Sequence, residues 1–153
     1  MATDDELTYA EHVGRFYVRE HGFPPVTGRL LGFLLVCDPP KQTIGDLADA
    51  LLASRSAITG AVKMLAEKRI VRRTRDAGER GDHVSIDPAG LEPPGFDGAL
   101  YREMAELSRE GLTLLPNIAA EQRLVLSESA ELYEFLAERM PAVLEEWRAR
   151  RGR

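Results

Sequence analysis

The segment from Thr43 to Asp87 constrains the fold of this chain most strongly, because it contains two short amphipathic helices. In the first, apolar residues recur three or four positions apart, which is the spacing of one helix face. Thr43 supplies a capping oxygen, and Asp46 adds negative charge in the first turn. Ser54 is a suitable N-cap for the second helix, which we predict to end near Lys68. The predicted buried residues are Ile44, Leu47, Ala48, Leu51 and Leu52 in the first helix, and Ile58, Ala61, Val62, Leu65 and Ala66 in the second.

The connection between the two helices is short, and the break and restart occupy only the four residues from Ala53 to Ser56. Two helices joined so tightly must cross steeply, which leaves the second one exposed. The major groove of B-DNA admits one helix, with its N-terminal residues nearest the base edges. The pattern therefore predicts a DNA-reading face made of Ser54, Arg55, Ser56, Thr59 and Lys63. Within this face, Lys63 is placed to contact phosphate. As an alternative, any three-helix core could use such a pair, with its basic residues merely solvated.

A β-hairpin is predicted directly after the second helix. Two segments with β-branched residues, 70–75 and 83–87, flank the six-residue loop 76–81, which contains two glycines. A hairpin in this position is a wing, and its tip residue Arg80 is suited to the minor groove. Three further arginines on the first strand are predicted to bind phosphates, namely Arg72, Arg73 and Arg75. Together these features favour double-stranded DNA as a partner.

The net charge of −5 at first argues against a DNA partner. The charges are unevenly distributed, however, because residues 54–83 hold eight Lys or Arg and four Asp or Glu, whereas the remainder holds 12 and 21. Screening removes the effect of charges beyond about 10 Å at 0.1 M salt, so the local field decides the affinity for nucleic acid. We therefore expect an acidic protein that binds DNA through one basic face.

The run from Leu47 to Ile86, LADALLASRSAITGAVKMLAEKRIVRR…DAGERGDHVSI, resembles the DNA-binding domain of MarR-type winged helix-turn-helix transcriptional regulators. Upstream, FPPVTGRLLGFLLV resembles a helix of the GbsR-like branch, with Gly28-Arg29 and Gly32 matching its Gly-Arg-x-x-Gly pattern. The likeness covers about residues 9 to 87, and the C-terminal helices match in layout only.

The resemblance implies a homodimeric transcriptional regulator whose Ser54, Arg55, Ser56, Thr59 and Lys63 face DNA, with Arg80 in the wing. MarR proteins often carry an Asp-x-Arg pattern in the wing. Here Asp76 and Arg80 are separated by three residues, so the usual ion pair does not follow from the sequence.

The flanking segments favour dimerisation. Thr3 and Glu6 form a capping box for a first helix that should end before Gly22. Its broad apolar face assigns residues 1–22 to dimerisation, with packing inside the monomer as the alternative. In the next helix, from about Pro25 to Cys37, the glycines of the Gly-Arg-x-x-Gly pattern each cost about 1 kcal/mol relative to alanine, so we expect another helix to approach them closely.

The sequence divides after the wing, where residues 87–95 form a linker rich in Pro and Gly. One helix is predicted from about 97 to 115, and another from 117 to 150, with an interruption near Ser127 and a kink at Pro141. Their long apolar stripes need a partner surface. The predicted fold is mainly α with a small β-hairpin wing: a winged helix-turn-helix domain at 23–90 and a C-terminal dimerisation region at 91–153.

The sequence shows no motif typical of a metal site, a cofactor site or a catalytic site. His12, His21 and His83 fall on three different elements without ligand spacing, so we predict neither a metal site nor a cofactor. No phosphate loop or nucleophile motif points to an enzyme. Cys37 is interpreted as a small core residue. An acidic start and the lack of an apolar stretch of 18 residues predict a cytoplasmic protein without a membrane segment.

Aromatic residues concentrate outside the winged domain. Some GbsR-like regulators sense choline, and quaternary ammonium ions bind aromatic cages by cation–π attraction. The resemblance therefore suggests a small-molecule effector site with Tyr17, Tyr101 and Tyr133 as candidates, although core packing explains these side chains equally well.

These observations predict a sequence-specific DNA-binding transcriptional regulator, a repressor that binds a pseudo-palindromic operator as a homodimer and is released by a small effector. The alternative is a winged-helix protein-interaction module that does not bind DNA. A weaker third reading is an enzyme with a substrate cavity among the C-terminal helices.

Overall fold

The computed structural model describes residues 1–92 and 96–152, so residues 93–95 of the predicted linker and Arg153 lie outside the described residues. The chain forms two compact units, Met1–Leu91 and Glu92–Arg153. None of the helices in the described part of the chain is long and apolar enough to cross a membrane.

The first unit is a winged helix-turn-helix. Its helices are α1 (Asp4–His21), α2 (Pro25–Val36), α3 (Ile44–Leu51) and α4 (Arg55–Glu67), and its strands are β1 (Gln42–Thr43), β2 (Val71–Thr74) and β3 (His83–Ile86). The strands form an antiparallel sheet in the order β1-β3-β2. The predicted fold class, mainly helical with a small hairpin, is confirmed. Strand β1 was not predicted, because two residues carry no periodicity and their pairing with β3 is not local in sequence.

The helix boundaries follow from the capping residues. Thr3 and Glu6 form the predicted capping box at the start of α1, and Gly22 ends this helix with φ 64°. Thr43 and Asp46 form a second capping box at the start of α3. At α4, Ser54 is the N-cap, since its side chain accepts a hydrogen bond from the N–H of Ala57. Each box satisfies backbone donors that the helix itself leaves unpaired.

The core of the first unit lies between α2 and the helix-turn-helix. The largest fully buried side chains belong to α2, α3, α4 and β3, and they are Leu30, Leu47, Leu51, Ile58, Val62, Leu65 and Val84. Cys37 is buried beside them, as expected of a small core residue, and burial raises the pKa of its thiol. Leu52 departs from the prediction, because it is 94% exposed. Helix α3 ends at Leu51, and the left-handed conformation of Leu52 (φ 51°) turns its side chain away from the core.

The two glycines of α2 contact α1, which is the closely packed helix that their spacing predicted. A Cβ atom at Gly32 would lie 2.8 Å from both Cα of Ala10 and Cβ of Val13. At Gly28 it would lie 2.9 Å from the carbonyl oxygen of Gly14. The backbones of α1 and α2 therefore approach as closely as they do only because no side chains separate them.

The second unit is a pair of helices, α5 (Ala99–Leu114) and α6 (Ala120–Arg151), packed against each other. The predicted interruption near Ser127 is wrong, because α6 continues through that residue and through Pro141. Serine alone is not a strong helix breaker, and a single proline removes only one backbone hydrogen bond. Arg109 and Glu134 link the two helices through a bidentate pair at 2.8 and 3.0 Å, and the hydrogen bond from Arg109 lowers the pKa of Glu134.

We expect Gly32→Ala to lower the free energy of unfolding by about 1–3 kcal/mol, because the new methyl group overlaps backbone atoms that cannot move independently. Urea denaturation would measure this change. Gly60→Ala is the matched control, since a Cβ atom there would have nothing within 4 Å. In the interior of α4 that control should stabilise the protein by up to about 1 kcal/mol. Equal effects of the two substitutions would contradict the packing argument.

Candidate nucleic-acid interface

The turn between α3 and α4 is held by a residue of α2. Nη2 of Arg29 donates a hydrogen bond to the carbonyl oxygen of Leu51 at 3.2 Å, at the last residue of α3. The same guanidinium pairs with Glu11 of α1, with Nε 3.3 Å from the carboxylate. Arg29 therefore supplies a donor to an otherwise unpaired helix end and ties it to α1. Sequence reasoning noticed Arg29 only within a glycine pattern, since these contacts are not local.

The predicted DNA-reading face is exposed along α4 and at its N-cap. Its five residues are Ser54, Arg55, Ser56, Thr59 and Lys63, and each is classed as exposed. On the opposite side of the helix, Ile58, Ala61, Val62 and Leu65 are buried. The core thus fixes the rotation of α4 about its axis, and with it the direction in which the polar face points.

Hydrogen bonds order several side chains of this face. The hydroxyl groups of Ser54 and Ser56 are 3.3 Å apart, and Ser54 also caps the helix. Oγ1 of Thr59 donates to the carbonyl oxygen of Arg55 at 2.8 Å, which leaves its lone pairs free to accept from a base or a water molecule. A Cβ atom at Gly45 of α3 would lie 2.9 Å from Nη2 of Arg55. Gly45 therefore makes room for the guanidinium beside the start of α3.

The wing, residues 71–86, carries two exposed arginines on its edge strand. Arg72 lies opposite Ser85, and Arg73 lies opposite the buried Val84. Because β2 is an edge strand and both arginines are exposed, their long side chains are accessible to a phosphate backbone. Arg80 in the loop is also exposed and, within the described residues, pairs with no carboxylate.

Arg75 was predicted to lie on the first strand of the hairpin, but it lies beyond the end of that strand. Strand β2 ends at Thr74, and Nε of Arg75 donates to Asp82 at 3.1 Å across the base of the loop. The wing therefore has an internal ion pair, formed by Arg75 and Asp82 rather than by Asp76 and Arg80. Arg75 can reach a phosphate only by sharing its guanidinium with Asp82.

Two of the three candidate effector residues lie together. The rings of Tyr101 and Tyr133 stack in the second unit with centroids 6.4 Å apart and planes 21° apart. Tyr17 belongs to the first unit, where it packs against His21 and Phe23 at 5.1 Å each. A cleft of about 610 Å³ between α5 and α6 is lined by residues that include Arg102, Arg109 and Glu138 but none of the three tyrosines.

Comparisons with known proteins agree with this architecture. Residues 21–80 match the model of the MarR family, and residues 97–150 match that of MmpR5-like MarR family transcriptional regulators. The chain is 30% identical over 138 residues to the HTH-type transcriptional regulator MmpR5 of Mycobacterium tuberculosis (strain ATCC 25618 / H37Rv), covering 88% of this chain and 82% of that protein. The chain belongs to the MarR family of transcriptional regulators. The predicted family and function class, a winged-helix DNA-binding transcriptional regulator, are thereby confirmed.

A solved structure supports the fold assigned to this MarR protein. A crystal structure described as that of a transcriptional regulator superposes with a TM-score of 0.80 at 26% identity, covering 95% of this chain and 99% of the other. The match over residues 97–150 is informative, because the C-terminal helices resembled the family only in layout when the sequence was considered alone.

The capping box of α3 predicts a pH-dependent contribution to stability. Hydrogen bonds from the side chain and then the backbone of Thr43 lower the pKa of Asp46 below its ordinary value. A lowered pKa in the folded state means that the stabilisation is complete above the unfolded-state pKa of about 3.9 and is lost as the pH falls through the lower, folded-state value.

We therefore expect Asp46→Asn to cost about 0.3–1 kcal/mol of unfolding free energy at pH 7 and progressively less below pH 4. Urea denaturation at a series of pH values would measure this difference. Asp49→Asn, an exposed carboxylate later in the same helix, serves as the control. If the loss of unfolding free energy caused by Asp46→Asn does not change with pH, the ionised carboxylate of Asp46 is not what stabilises the start of α3.

Proposed function

We propose that this MarR-family chain is a homodimeric repressor that reads a pseudo-palindromic operator through α4 and the wing. The observation that carries the proposal is the exposed polar N-terminus of α4, flanked by the exposed arginines of the wing. A helix with one buried apolar face and short or basic residues on the other fits the major groove without displacing its own core. As a regulator rather than an enzyme, it would act in the cytoplasm.

The residues divide by the contacts that they can make. Ser54, Arg55, Ser56 and Thr59 lie in the first turns of α4, where side chains reach base edges. Lys63 lies one turn further along, and with Arg72 and Arg73 it is suited to phosphates. Arg80 would enter the minor groove, whose negative potential attracts a guanidinium. Arg75 would mainly brace the wing through Asp82.

The second unit supports the dimer. Its helices bury small side chains between them and leave large apolar ones in solvent, with exposures from 44% to 60% at Leu107, Leu124, Val125, Leu132, Phe135 and Trp147. Monomers rarely expose so many large apolar side chains, and a twofold interface would cover them. We assign dimerisation to residues 91–153 with help from residues 1–22, where Tyr9, Phe16 and Val18 are also exposed. A twofold dimer presents two α4 helices to half-sites about 34 Å apart.

The proposal includes a small effector that releases the operator. The stacked pair of Tyr101 and Tyr133 is the better candidate, whereas Tyr17 is already packed among neighbouring rings. An effector would release the operator only if it bound one spacing of the two α4 helices better than the other. Membership of the GbsR-like branch stays a prediction, because the model that matches residues 97–150 is the MmpR5-like one.

Replacing single arginines tests the DNA face. We expect Arg55→Ala to weaken binding to a selected operator by about 1–3 kcal/mol and to relax the preference at one base position. Arg73→Ala should weaken binding to all sequences and lower the salt dependence by about one phosphate contact. The operator would be selected from random DNA, and affinities would be measured by fluorescence anisotropy.

Arg150→Ala removes the same charge from an exposed position near the end of α6 and is the control for both arginine variants. If Arg55→Ala and Arg73→Ala bind the selected operator as tightly as this control does, the DNA face has been assigned wrongly.

Replacing one exposed apolar residue tests the dimer. Phe135→Glu introduces a charge at a side chain that is 56% exposed, so the monomer should still fold while a twofold interface would bury two charges. We expect sedimentation velocity to show a dimer for the wild type and a monomer for this variant. Gln122→Glu, at an exposed polar position of α6, should remain dimeric. A wild-type protein that sediments as a monomer would rule out the proposed homodimer.

A further inference from the structure

We propose that the wing holds a site for a divalent transition-metal ion, with Asp76, Glu79 and His83 as ligands. One potential ligand atom from each of these three side chains lies within 4.8 Å of the other two. In the sequence, His83 has neither another histidine nor Cys37 at ligand spacing, so no metal site was predicted. The hairpin brings the three residues together by folding the loop back over the start of β3.

Backbone hydrogen bonds hold the loop that carries Asp76 and Glu79, and they also hold the strand that carries His83. The N–H of Glu79 donates to the carbonyl oxygen of Asp76 at 3.1 Å, closing a turn in which Gly78 has φ 87°. Such a positive φ favours glycine at that position. His83 begins β3 and is paired on one side with Thr74 and on the other with Thr43. An ion held by all three side chains would therefore tie the loop to the central strand of the sheet.

The imidazole of His83 offers an atom that the described protein residues do not satisfy. Its Nδ1 is shielded from solvent and makes no well-directed hydrogen bond within the described parts of the chain, although Oε2 of Glu79 is 2.9 Å away. A protonated imidazole would make this contact an ion pair. A neutral imidazole with its proton on Nδ1 would donate to this carboxylate, whereas one with its proton on Nε2 would turn the Nδ1 lone pair toward it, and a cation bound between the two atoms would then satisfy both.

The donor types and the 2.9 Å separation of Nδ1 of His83 from Oε2 of Glu79 fit a particular class of ion. Bonds of about 2.0–2.2 Å from a metal to nitrogen and oxygen place ligand atoms that are 2.9 Å apart at roughly a right angle around it. One imidazole and two carboxylates suit Zn²⁺, Co²⁺ or Mn²⁺, whereas Ca²⁺ and Mg²⁺ prefer oxygen ligands alone. The three protein ligands leave further coordination positions for water.

The effect of the metal ion on DNA binding rests on the proposed function, whereas the metal site itself does not. In the metal-free wing, Asp76 and Glu79 place two negative charges in the same loop as Arg80, and these charges oppose approach to the phosphate backbone. A bound divalent ion neutralises both carboxylates and restrains the loop that carries Arg80. The geometry therefore predicts that the ion increases affinity for the operator, which would make the regulator responsive to metal.

Metal binding is tested first, on the chelator-treated protein without DNA. Co²⁺ should develop the visible absorption bands of an ion with a nitrogen ligand, and Zn²⁺ should displace it and give a saturable signal by calorimetry. His83→Gln and Glu79→Gln should each weaken binding about 10- to 100-fold. Glu67→Gln, which removes an exposed carboxylate at the end of α4 and outside the wing, is the control and should keep wild-type affinity. Circular dichroism would verify that every variant is folded.

If the wild type gives no Co²⁺ bands, or if both ligand variants bind like the Glu67→Gln control, the site does not exist and His83 and Glu79 only contact each other. Operator binding is then compared with and without Zn²⁺. The wild type should gain about three- to tenfold in affinity, and His83→Gln should gain nothing. Zn²⁺ binding without a change in operator affinity would overturn the regulatory role. Failure to bind any DNA both with and without Zn²⁺ would instead contradict the proposed function and leave the Co²⁺ result standing.

Discussion

The burial of one face of α4 is the constraint on which the rest of the DNA-binding unit depends. Ile58, Val62 and Leu65 are completely buried, and a helix anchored at three successive turns cannot rotate about its axis. Each of these side chains contributes about 1.5–3 kcal/mol when it is removed from water, which far exceeds the energy of any single contact on the exposed face. The polar face can therefore consist of residues that add little to stability, and its composition is free to serve recognition.

The position of α4 depends in turn on how closely α1 and α2 pack. The bare backbone at Gly28 and Gly32 lets α1 approach α2, and this proximity brings Glu11 to Arg29 and Arg29 to the end of α3. An exposed salt bridge alone contributes little, but here the same guanidinium also satisfies a helix-terminal carbonyl group. A displacement of α1 would therefore change the position of the turn that precedes α4, through contacts between neighbouring elements.

Much of this unit could be predicted from sequence because its determinants are local. The capping box of Thr43 and Asp46, the N-cap at Ser54 and the apolar spacing of α4 each involve residues within a few positions of one another, and all are confirmed. The exposure of Leu52 was missed, because helix periodicity alone does not show that α3 ends one residue earlier. Pairing of β1 with β3, the Arg75–Asp82 ion pair and the proximity of Asp76 to His83 depend on the hairpin register, which the sequence does not display as a pattern.

The helices of the second unit leave much of their large apolar surface exposed in the single chain. The buried residues of α5 and α6 are mostly small, namely Ala105, Ser108, Ala130 and Ala137, and Leu144 is the one large side chain among the buried residues described there. Small residues allow the helices to approach, but they bury little apolar area, so the pair gains little hydrophobic stabilisation. The larger side chains, including Leu132, Phe135 and Trp147, remain about half exposed. Covering them by a second copy would bury this apolar area and stabilise the helix pair. The same interface would fix the distance between the two α4 helices of the dimer. One interface would then set both the stability of the second unit and the spacing of the operator half-sites.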